Sequence, residues 1–484
     1  MAWIWAAIIL AAASAPAPAR AAPAVPHHQR DFTAADFSAR RAILFDAIGK
    51  GAVALIQGRA DTGDLSSFRQ SNEFYYLTGL EVPHAYLLLD GKARRTTLYL
   101  PRRDTARDAV EGEFLAAEDT ELVMRLTGAD AVQPLDQLAK GLAGSGLIRP
   151  PAPLLYLPLS PAETVSRDTL LAANAAIASD PWDGGEPREG RLRTLVQSRF
   201  PQFEIRDLTP TLDAQRLIKS DKEIALIRAA TRLAGNAIIE AMRSTVPGTK
   251  EHELDAVAKY IFFLGGARGE GYASIIGGGS NAFYGHYWRK TDALKAGDML
   301  LMDYAPDYRY YTSDVARMWP VSGRHNSEQR ALGEFILAYR DALIRAVRPG
   351  VTSDQVLDAA AAEMTLYLAA HPFANPSHAA AAQDALKFRG HFQHSVGMSV
   401  HDVGTLRGVP LRPGMVFTID PMLWLRGERL YFRIEDVVLV TREGVENLSA
   451  FVPARLTDIE RTIAEPGLLQ ASVSAPHRAV QEIK

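Results

Sequence analysis

Three short apolar runs of the sequence each carry a carboxylate where a strand is predicted. The runs are DMLLMD at 298–303, GMVFTIDP at 414–421 and LYFRIEDVVLV at 430–440. Such runs indicate buried strands, and a buried carboxylate is costly unless something pairs with it. One acid of this kind could cap a strand or join an ion pair. Three of them, Asp303, Asp420 and Glu435, predict a shared cation.

A fourth acid, Asp314, follows Asp303 by eleven residues. The turn-forming segment Ala305–Asp307 between them predicts that the two acids lie on two strands of a hairpin, not on one helical face. In the last predicted strand, Arg433 and Glu435 point to the same side because side chains alternate along a strand. We therefore expect Arg433 to be an ion-pair partner of a ligand acid rather than a substrate contact.

Histidines add nitrogen to this set of oxygen ligands. His391, His394 and His401 lie among small residues, and His286 lies upstream beside aromatic residues. Carboxylates with a minority of imidazoles suit Mn²⁺, Co²⁺, Fe²⁺ or Zn²⁺. Two divalent ions would neutralise the four acids, whereas one ion would leave two buried charges uncompensated at a cost of several kcal/mol. The charge count therefore predicts a pair of ions.

These residues, in this order, resemble the motifs of the pita-bread metallopeptidases, which include aminopeptidase P, prolidase and methionine aminopeptidase. The matching pieces are His286 in NAFYGHY, Asp303 and Asp314 in DYAPDYRYYTSDVAR, His394 and His401 in HSVGMSVHD, Asp420 in GMVFTIDP and Glu435 in RIED. The block FRQSNEFYYLTG at 68–79 resembles the amino-terminal domain of aminopeptidase P, and we expect it to serve domain packing. The resemblance implies an α/β (α+β) fold with a creatinase-like N-terminal domain followed by a pita-bread metallopeptidase domain.

The resemblance also implies a set of metal ligands. Asp303 and Asp314 would hold one ion, and Asp314 would bridge to a second. His394 and Asp420 would complete one site, and Glu435 would bridge both. The family usually carries Glu at the position of Asp420, where the side chain binds metal and relays a proton. The implied ions are Mn²⁺, with Co²⁺ or Zn²⁺ as alternatives.

Two further histidines would line the substrate cleft. By the resemblance, His286 and His401 would act as proton handlers and carbonyl partners. The family usually carries another histidine four residues before the ligand histidine, but here that place is Gly390. His391 lies one residue later, and whether it takes over the role of supporting the site or contacting substrate is open.

The first functional hypothesis is a metallopeptidase that cleaves between an N-terminal residue and a following proline, acting on short peptides. The second is a prolidase, which performs the same chemistry on Xaa-Pro dipeptides. An inactive pita-bread binding module and a metal-free creatinase-type hydrolase are further alternatives, and the near-complete ligand set argues against both. A homodimer is expected.

A chain of 484 residues exceeds what one core usually serves, so two domains are predicted. The predicted segments are a signal peptide at 1–21, a flexible lead-in at 22–35, an N-terminal domain at 36–208, a catalytic domain at 209–465 and a loose tail at 466–484. The first residues of the catalytic domain, 209–219, are predicted to form a linker. The apolar core of the first segment, Trp3–Ala13, is too short to span a bilayer comfortably, and small residues flank Arg20 at the expected cleavage site. An exported protein, periplasmic or secreted, without stable membrane contact after cleavage is therefore predicted; an uncleaved anchor is the alternative.

Charge and composition exclude several classes of function. The formal net charge is −3, from 53 basic and 56 acidic residues without long blocks of one sign, so neither nucleic acid nor an anionic membrane is an expected partner. The absence of cysteine excludes disulfides, thiolate nucleophiles and cysteine-bound zinc.

Overall fold

The computed structural model describes residues 29–61, 63, 67–144, 153–161, 167–182, 184–392 and 394–472. The predicted signal peptide, most of the lead-in and residues 473–484 of the predicted tail lie outside these ranges. Helices and strands alternate through two successive regions, which agrees with the predicted α/β class. Within the described ranges, none of the helices has both the length and the apolar character that a membrane crossing requires.

The N-terminal domain is built on a six-stranded mixed sheet in the order β4-β3-β2-β1-β5-β6. Its strands are β1 Ala52–Gln57, β2 Tyr86–Asp90, β3 Arg95–Leu100, β4 Ala131–Pro134, β5 Leu154–Leu157 and β6 Glu204–Asp207. The three central strands β1, β2 and β3 are antiparallel, and the outer strands join them in parallel.

Helices cover both faces of this sheet. The helices described in this domain are α1 Ala34–Ile48, α2 Asn72–Thr78, α3 Thr105–Glu111, α4 Thr120–Thr127, α5 Leu138–Ala143, α6 Arg167–Ser179 and α7 Arg188–Arg199. Along β1, Ala54 and Ile56 pack into the core on one face, whereas Val53 and Leu55 pack into the core on the other. The continuous apolar run of β1 therefore reflects burial on both faces.

The second domain contains small antiparallel sheets. Its strands are β7 Gly269–Glu270, β8 Ile275–Gly278, β9 Met299–Asp303, β10 Pro306–Asp307, β11 Ala316–Pro320, β12 Val416–Ile419, β13 Met422–Leu425, β14 Leu430–Arg433, β15 Asp436–Val440 and β16 Val445–Asn447. They pair as β8-β9-β11, β12-β15-β16, β13-β14 and β7-β10. An isolated bridge between Ala316 and Glu435 connects the first two sheets, so the acid-bearing strands meet.

Helices surround these sheets. They are α8 Thr209–Leu217, α9 Asp221–Ser244, α10 Glu251–Leu264, α11 Ser327–Ala346, α12 Ser353–Ala370, α13 Pro376–Lys387, α14 Leu456–Ile463 and α15 Leu468–Ser472. The predicted capping box is confirmed, because the Ser220 hydroxyl accepts from the Glu223 N–H and the Glu223 carboxylate accepts from the Ser220 N–H.

The structure differs from the predicted segment boundaries in three places. The end of the predicted lead-in is ordered, since Phe32 is buried in the N-terminal core and α1 begins at Ala34. The predicted linker contains α8, whose Leu212 is fully buried. The predicted loose tail begins with α15, where Leu469 packs against the core beneath α9. Each segment buries apolar side chains that the sequence analysis assigned to loop.

The block at 68–79 joins the two domains, as expected. The Arg69 guanidinium pairs with Asp307 at 2.6 Å, and the Tyr75 ring stacks on Tyr310 with centroids 3.5 Å apart. The Asn72 amide donates to the Ser399 hydroxyl at 2.9 Å. The N-terminal domain therefore contacts the loop that carries His394 and His401.

Candidate metal centre

Three buried acids converge where β9, β11 and β15 meet. Asp303 ends β9 opposite Ala316 of β11, and the backbone N–H groups of Ala316 and Glu435 donate to each other's carbonyl oxygens. Asp303, Asp314 and Glu435 are at most 3% exposed, and each offers a ligand atom within 4.8 Å of the others. The strands and the segments next to them therefore gather three carboxylates that could serve as oxygen ligands at one point.

Two details of the predicted strands are wrong. Asp314 lies in the segment before β11, not on a strand, because the pairing with β9 begins only at Ala316. The predicted strand at 430–440 is broken between Arg433 and Asp436, where the chain leaves one sheet for another. Arg433 and Glu435 nevertheless point the same way, since their side chains are joined by an ion pair of 2.7 Å.

A second group of potential ligands shares Asp314 with the first. His394 Nε2 lies 3.4 Å from Asp314 Oδ2 and 3.8 Å from Glu435 Oε1. The His401 ring stacks on His394 with centroids 4.0 Å apart. Asp314, His394 and His401 each offer a ligand atom within 4.8 Å of the other two. The two groups are adjacent because Asp314 belongs to both.

Asp420 belongs to neither group. Its Oδ1 accepts from Arg433 Nε at 2.7 Å, and its Oδ2 accepts from Arg433 Nη2 at 3.0 Å. Arg433 also pairs with Asp303 and Glu435, so this one guanidinium contacts three of the four acids. The expected ion pair is therefore present. The charge count from sequence omitted Arg433. With its positive charge included, the four acids and Arg433 carry three net negative charges. This total does not select between one ion and two.

Burial sets the electrostatics of the cluster. It raises the pKa of Asp314 well above its ordinary value, and the neighbouring Asp303 raises it further. It likewise raises the pKa of Glu435, although Arg433 opposes this effect. Burial and the adjacent His401 lower the pKa of His394 well below its ordinary value. Carboxylates that resist ionisation beside a neutral imidazole form a site that a cation would stabilise.

The residues fit a divalent metal ion by a further observation. Glu435 Oε1 is buried and, among the described residues, has no hydrogen-bond partner. A buried carboxylate oxygen without a partner is costly, and a metal ion at this position would remove the cost. The donor set of carboxylates and imidazole suits a divalent first-row ion.

Tyr272 is a site residue that the sequence analysis missed. Its hydroxyl lies 2.7 Å from Oδ1 of Asp303 and 2.7 Å from Oδ1 of Asp314, so its single proton serves both acids. Burial and the nearby Asp303 raise its pKa well above the ordinary value, which keeps the phenol protonated. Tyr272 lies between β7 and β8, and no local sequence pattern distinguishes it from the other tyrosines.

The remaining two predicted histidines lie apart from both ligand groups. His286 is exposed on the segment that follows a 3₁₀ helix at Gly279–Phe283. His391 is fully buried, with ring nitrogens 2.9 Å from the Asp420 carbonyl oxygen and 3.1 Å from that of Ala385. His391 therefore contacts backbone beside the site rather than a cleft.

A cavity of about 940 Å³ opens beside the centre. His394 and His401 line it, together with Gly390, Arg389 and Arg407. Gly390, which has no side chain, lines the same cavity as the two histidines. The cavity therefore reaches His394 and His401, whereas the acids of the cluster are not among its lining residues.

Comparisons with known proteins show which families this chain is similar to. Residues 225–442 match the model of metallopeptidase family M24, and residues 37–146 match the N-terminal domain of aminopeptidase P. The chain is 28% identical to the Xaa-Pro aminopeptidase of Escherichia coli over 450 residues, which cover 88% of this chain and 96% of that one. It is 26% identical to the human Xaa-Pro dipeptidase over 481 residues, covering 86% and 90% of the two chains. The solved structure of E. coli aminopeptidase P with the inhibitor Pro-Leu superposes with a TM-score of 0.71 at 25% identity, covering 89% of this chain and 98% of that one.

Proposed function

The chain belongs to metallopeptidase family M24, and we propose that it is a metal-dependent Xaa-Pro aminopeptidase. Such an enzyme hydrolyses the peptide bond between an N-terminal residue and a following proline. The observation that carries the proposal is the convergence of Asp303, Asp314, Glu435 and His394 beside an open cavity. The similarity to Xaa-Pro aminopeptidases along most of the chain supports it.

Four residues would hold the metal. Asp303, Asp314 and Glu435 would supply carboxylate oxygens, and His394 would supply an imidazole nitrogen. Divalent ions held in this way polarise a scissile carbonyl and activate water. The shared position of Asp314 supports two neighbouring ions, and the oxygen-rich set supports Mn²⁺, with Co²⁺ or Zn²⁺ as alternatives.

The protein's own residues would orient the substrate and move protons. His401 lines the cavity next to His394, and the roles of His286 and His401 as proton handlers stay predictions. Proline lacks an amide N–H and restricts the residue before it, so a cavity shaped for its ring would accept Xaa-Pro-Yaa peptides and reject Xaa-Ala-Yaa peptides. Short peptides with proline in second position are the proposed substrates.

The experiment pairs metal analysis with peptide hydrolysis. We expect purified protein to retain about two divalent ions per chain and to cleave Xaa-Pro-Yaa much faster than Xaa-Ala-Yaa. Equal rates on the two peptides would refute the proline specificity. Preference for Xaa-Pro over Xaa-Pro-Yaa would instead favour the prolidase hypothesis, which the similarity to the human Xaa-Pro dipeptidase supports.

Export and assembly are separate proposals. The apolar N-terminal segment supports a cleaved signal peptide and a periplasmic or secreted protein. N-terminal sequencing of the mature protein tests this, with a start near residue 22 as the expected result. Light scattering tests the proposed homodimer.

A further inference from the structure

Two buried cations of the predicted linker lie against the loop that carries His394 and His401. This loop, residues 394–402, is called the histidine loop below. Arg216 belongs to α8, and Lys219 lies between α8 and α9. The side chains of both cations are 1% exposed. A buried cation is costly unless it is paired with an acid, so the partner of these two residues matters.

Both cations contact the same carboxylate, that of Asp402. Arg216 Nη2 donates to Asp402 Oδ1 at 2.6 Å, and Lys219 Nζ lies 3.4 Å from Asp402 Oδ2. The Lys219 ammonium also donates to the Ser395 hydroxyl at 2.8 Å. These contacts join the segment around α8 to the two ends of the histidine loop.

The two ends of the histidine loop are paired with each other. Ser395 and Asp402 form a backbone bridge, in which the Asp402 N–H donates to the Ser395 carbonyl oxygen at 2.8 Å. Ser395 directly follows His394, and Asp402 directly follows His401. The two imidazole rings stack with centroids 4.0 Å apart. Because Lys219 contacts both members of the bridge, it lies at the base from which both imidazoles project.

The packing around the Lys219 ammonium is tight. A Cβ at Gly397 would lie 3.0 Å from Lys219 Cε and 2.1 Å from a carboxylate oxygen of Asp402. The Lys219 backbone is fixed as well, because its N–H donates to the Gly414 carbonyl oxygen at 2.9 Å. A side chain that is held at both its ends can in turn fix the groups that it contacts.

Helix α8 also borders the cavity beside the centre. Asp213 and Leu217 of this helix line the cavity, as do His394, His401 and Asp402. The segment that holds the base of the histidine loop therefore forms a wall of the same cavity that the two imidazoles line.

We propose that Lys219 is a positioning residue that, together with Arg216, holds the base of the histidine loop and so sets the orientation of its two imidazoles. The inference rests on the proposed metal-dependent function, and it adds a residue that acts through the histidines and not on the substrate. Residues that orient a metal ligand typically contribute about 10–100-fold to metal affinity. Loss of the ammonium should therefore weaken the centre without abolishing it.

Lys219→Met tests the proposal, because it removes the ammonium, keeps an unbranched side chain and leaves Arg216 on Asp402. The affinity of the full chain for Co²⁺ should fall about 10–100-fold. The visible absorption spectrum of the Co²⁺-loaded protein should also change, since it reports the arrangement of the ligands. Ser395→Ala, which removes only the hydroxyl, should change both readouts in the same direction by a smaller amount. The two effects should not add in the double variant, because both remove the same contact.

Arg41→Met is the matched control. Arg41 is 1% exposed and donates to the carbonyl oxygens of Leu77 and Thr127 in the N-terminal domain. The control should lower the stability of the protein in urea and leave the Co²⁺ affinity and spectrum as in the wild type. A cation that only stabilises the fold would behave in this way. Wild-type affinity and spectrum in folded Lys219→Met would therefore overturn the inference.

Ser395→Ala decides the question if Lys219→Met does not fold. Unchanged Co²⁺ affinity and spectrum in Ser395→Ala would then overturn the inference. If the wild type takes up no divalent ion, the proposed function fails and this inference fails with it. If the wild type binds Co²⁺ and the deciding variant matches it, only this inference fails.

Discussion

Glu435 and Asp436 are neighbours in the chain, and both are fully buried, but their carboxylates meet opposite surroundings. Asp436 pairs with Arg317 at 2.7 Å and Arg340 at 2.5 Å, and it accepts from the Ser449 hydroxyl at 2.6 Å. Glu435 pairs with Arg433, and its Oε1 has no hydrogen-bond partner among the described residues.

The two pKa values follow from this difference. Burial alone would raise both, but Arg317 and Arg340 hold the pKa of Asp436 at about 2. Burial raises the pKa of Glu435 well above its ordinary value; Arg433 opposes this shift, and the neighbouring acids Asp314, Asp420 and Asp303 add to it. Burial alone therefore does not identify a functional acid. A shortage of hydrogen-bond and ion-pair donors around the carboxylate does.

The largest expected effect is a difference in stability between variants of Asp436 and Glu435. Asp436→Asn should lower the free energy of unfolding by about 3–5 kcal/mol, because Arg317 and Arg340 lose a buried charge partner. Glu435→Gln is the matched control, with the same loss of charge one residue away, and should change it by less than about 1 kcal/mol in metal-free protein. Urea unfolding followed by circular dichroism measures both. Similar losses in the two variants would contradict the comparison.

Catalytic activity, in contrast, should be more sensitive to a change at Glu435 than to one at Asp436. Glu435→Gln should lower kcat/KM on an Xaa-Pro-Yaa peptide by about 100-fold or more, because a metal ion contributes several kcal/mol to transition-state stabilisation. Metal content should fall with it. The exposed acid variant Glu465→Gln should remain at wild-type rate. Full activity in Glu435→Gln would remove Glu435 from the metal centre.

Tyr272 allows a finer test of how donors are distributed in the cluster. Tyr272→Phe removes the proton shared by Asp303 and Asp314 and should weaken metal binding by about 10–100-fold. Tyr304→Phe removes a similar hydroxyl, one that donates to Glu270 outside the cluster, and should leave metal affinity unchanged. Isothermal titration with Mn²⁺ compares the two. Equal affinities would show that the Tyr272 hydroxyl does not orient the acids.

The smallest effect is a pH dependence of opposite sign in metal-free protein. The folded-state pKa of Asp436 is lowered to about 2, so its contribution is present above its unfolded pKa of about 4 and is lost as pH falls toward 2. The folded-state pKa of Glu435 is raised, so its contribution is present below its unfolded pKa of about 4.5 and is lost as pH rises. The effect should amount to about 2 kcal/mol for Asp436. Urea unfolding between pH 2 and 8, with Asp436→Asn and Glu435→Gln as references, measures each contribution. If both contributions changed with pH in the same direction, the comparison between Asp436 and Glu435 would be contradicted.

Local sequence signals predicted the parts of the fold that local physics controls. The capping box at Ser220 placed the start of α9, and the apolar run before Asp303 placed β9. The same reasoning missed α8 and α13 and did not predict the break between β14 and β15. That break depends on a change of sheet, which is a long-range property that the apolar run at 430–440 does not encode.

The ligand set was predicted from residue order, and the geometry around it was not. The acids and His394 were expected together, and the structure brings Asp303, Asp314, Glu435 and His394 together. The engagement of both Asp420 oxygens by Arg433 could not be read from sequence, because alternation along a strand gives direction but not distance. The roles of the cleft histidines stay predictions.

The contact between Asn72 and Ser399 ties the N-terminal domain to the loop between the two stacked histidines. Arg69 adds a contact to the Met398 carbonyl oxygen at 3.4 Å, and the Thr312 N–H donates to the Gly397 carbonyl oxygen at 2.9 Å beside Asp314. Hinge motion between the domains would therefore pull on the same loop that presents the imidazoles. Because a backbone bridge between Ser395 and Asp402 closes that loop, His394 and His401 would shift together in such a motion.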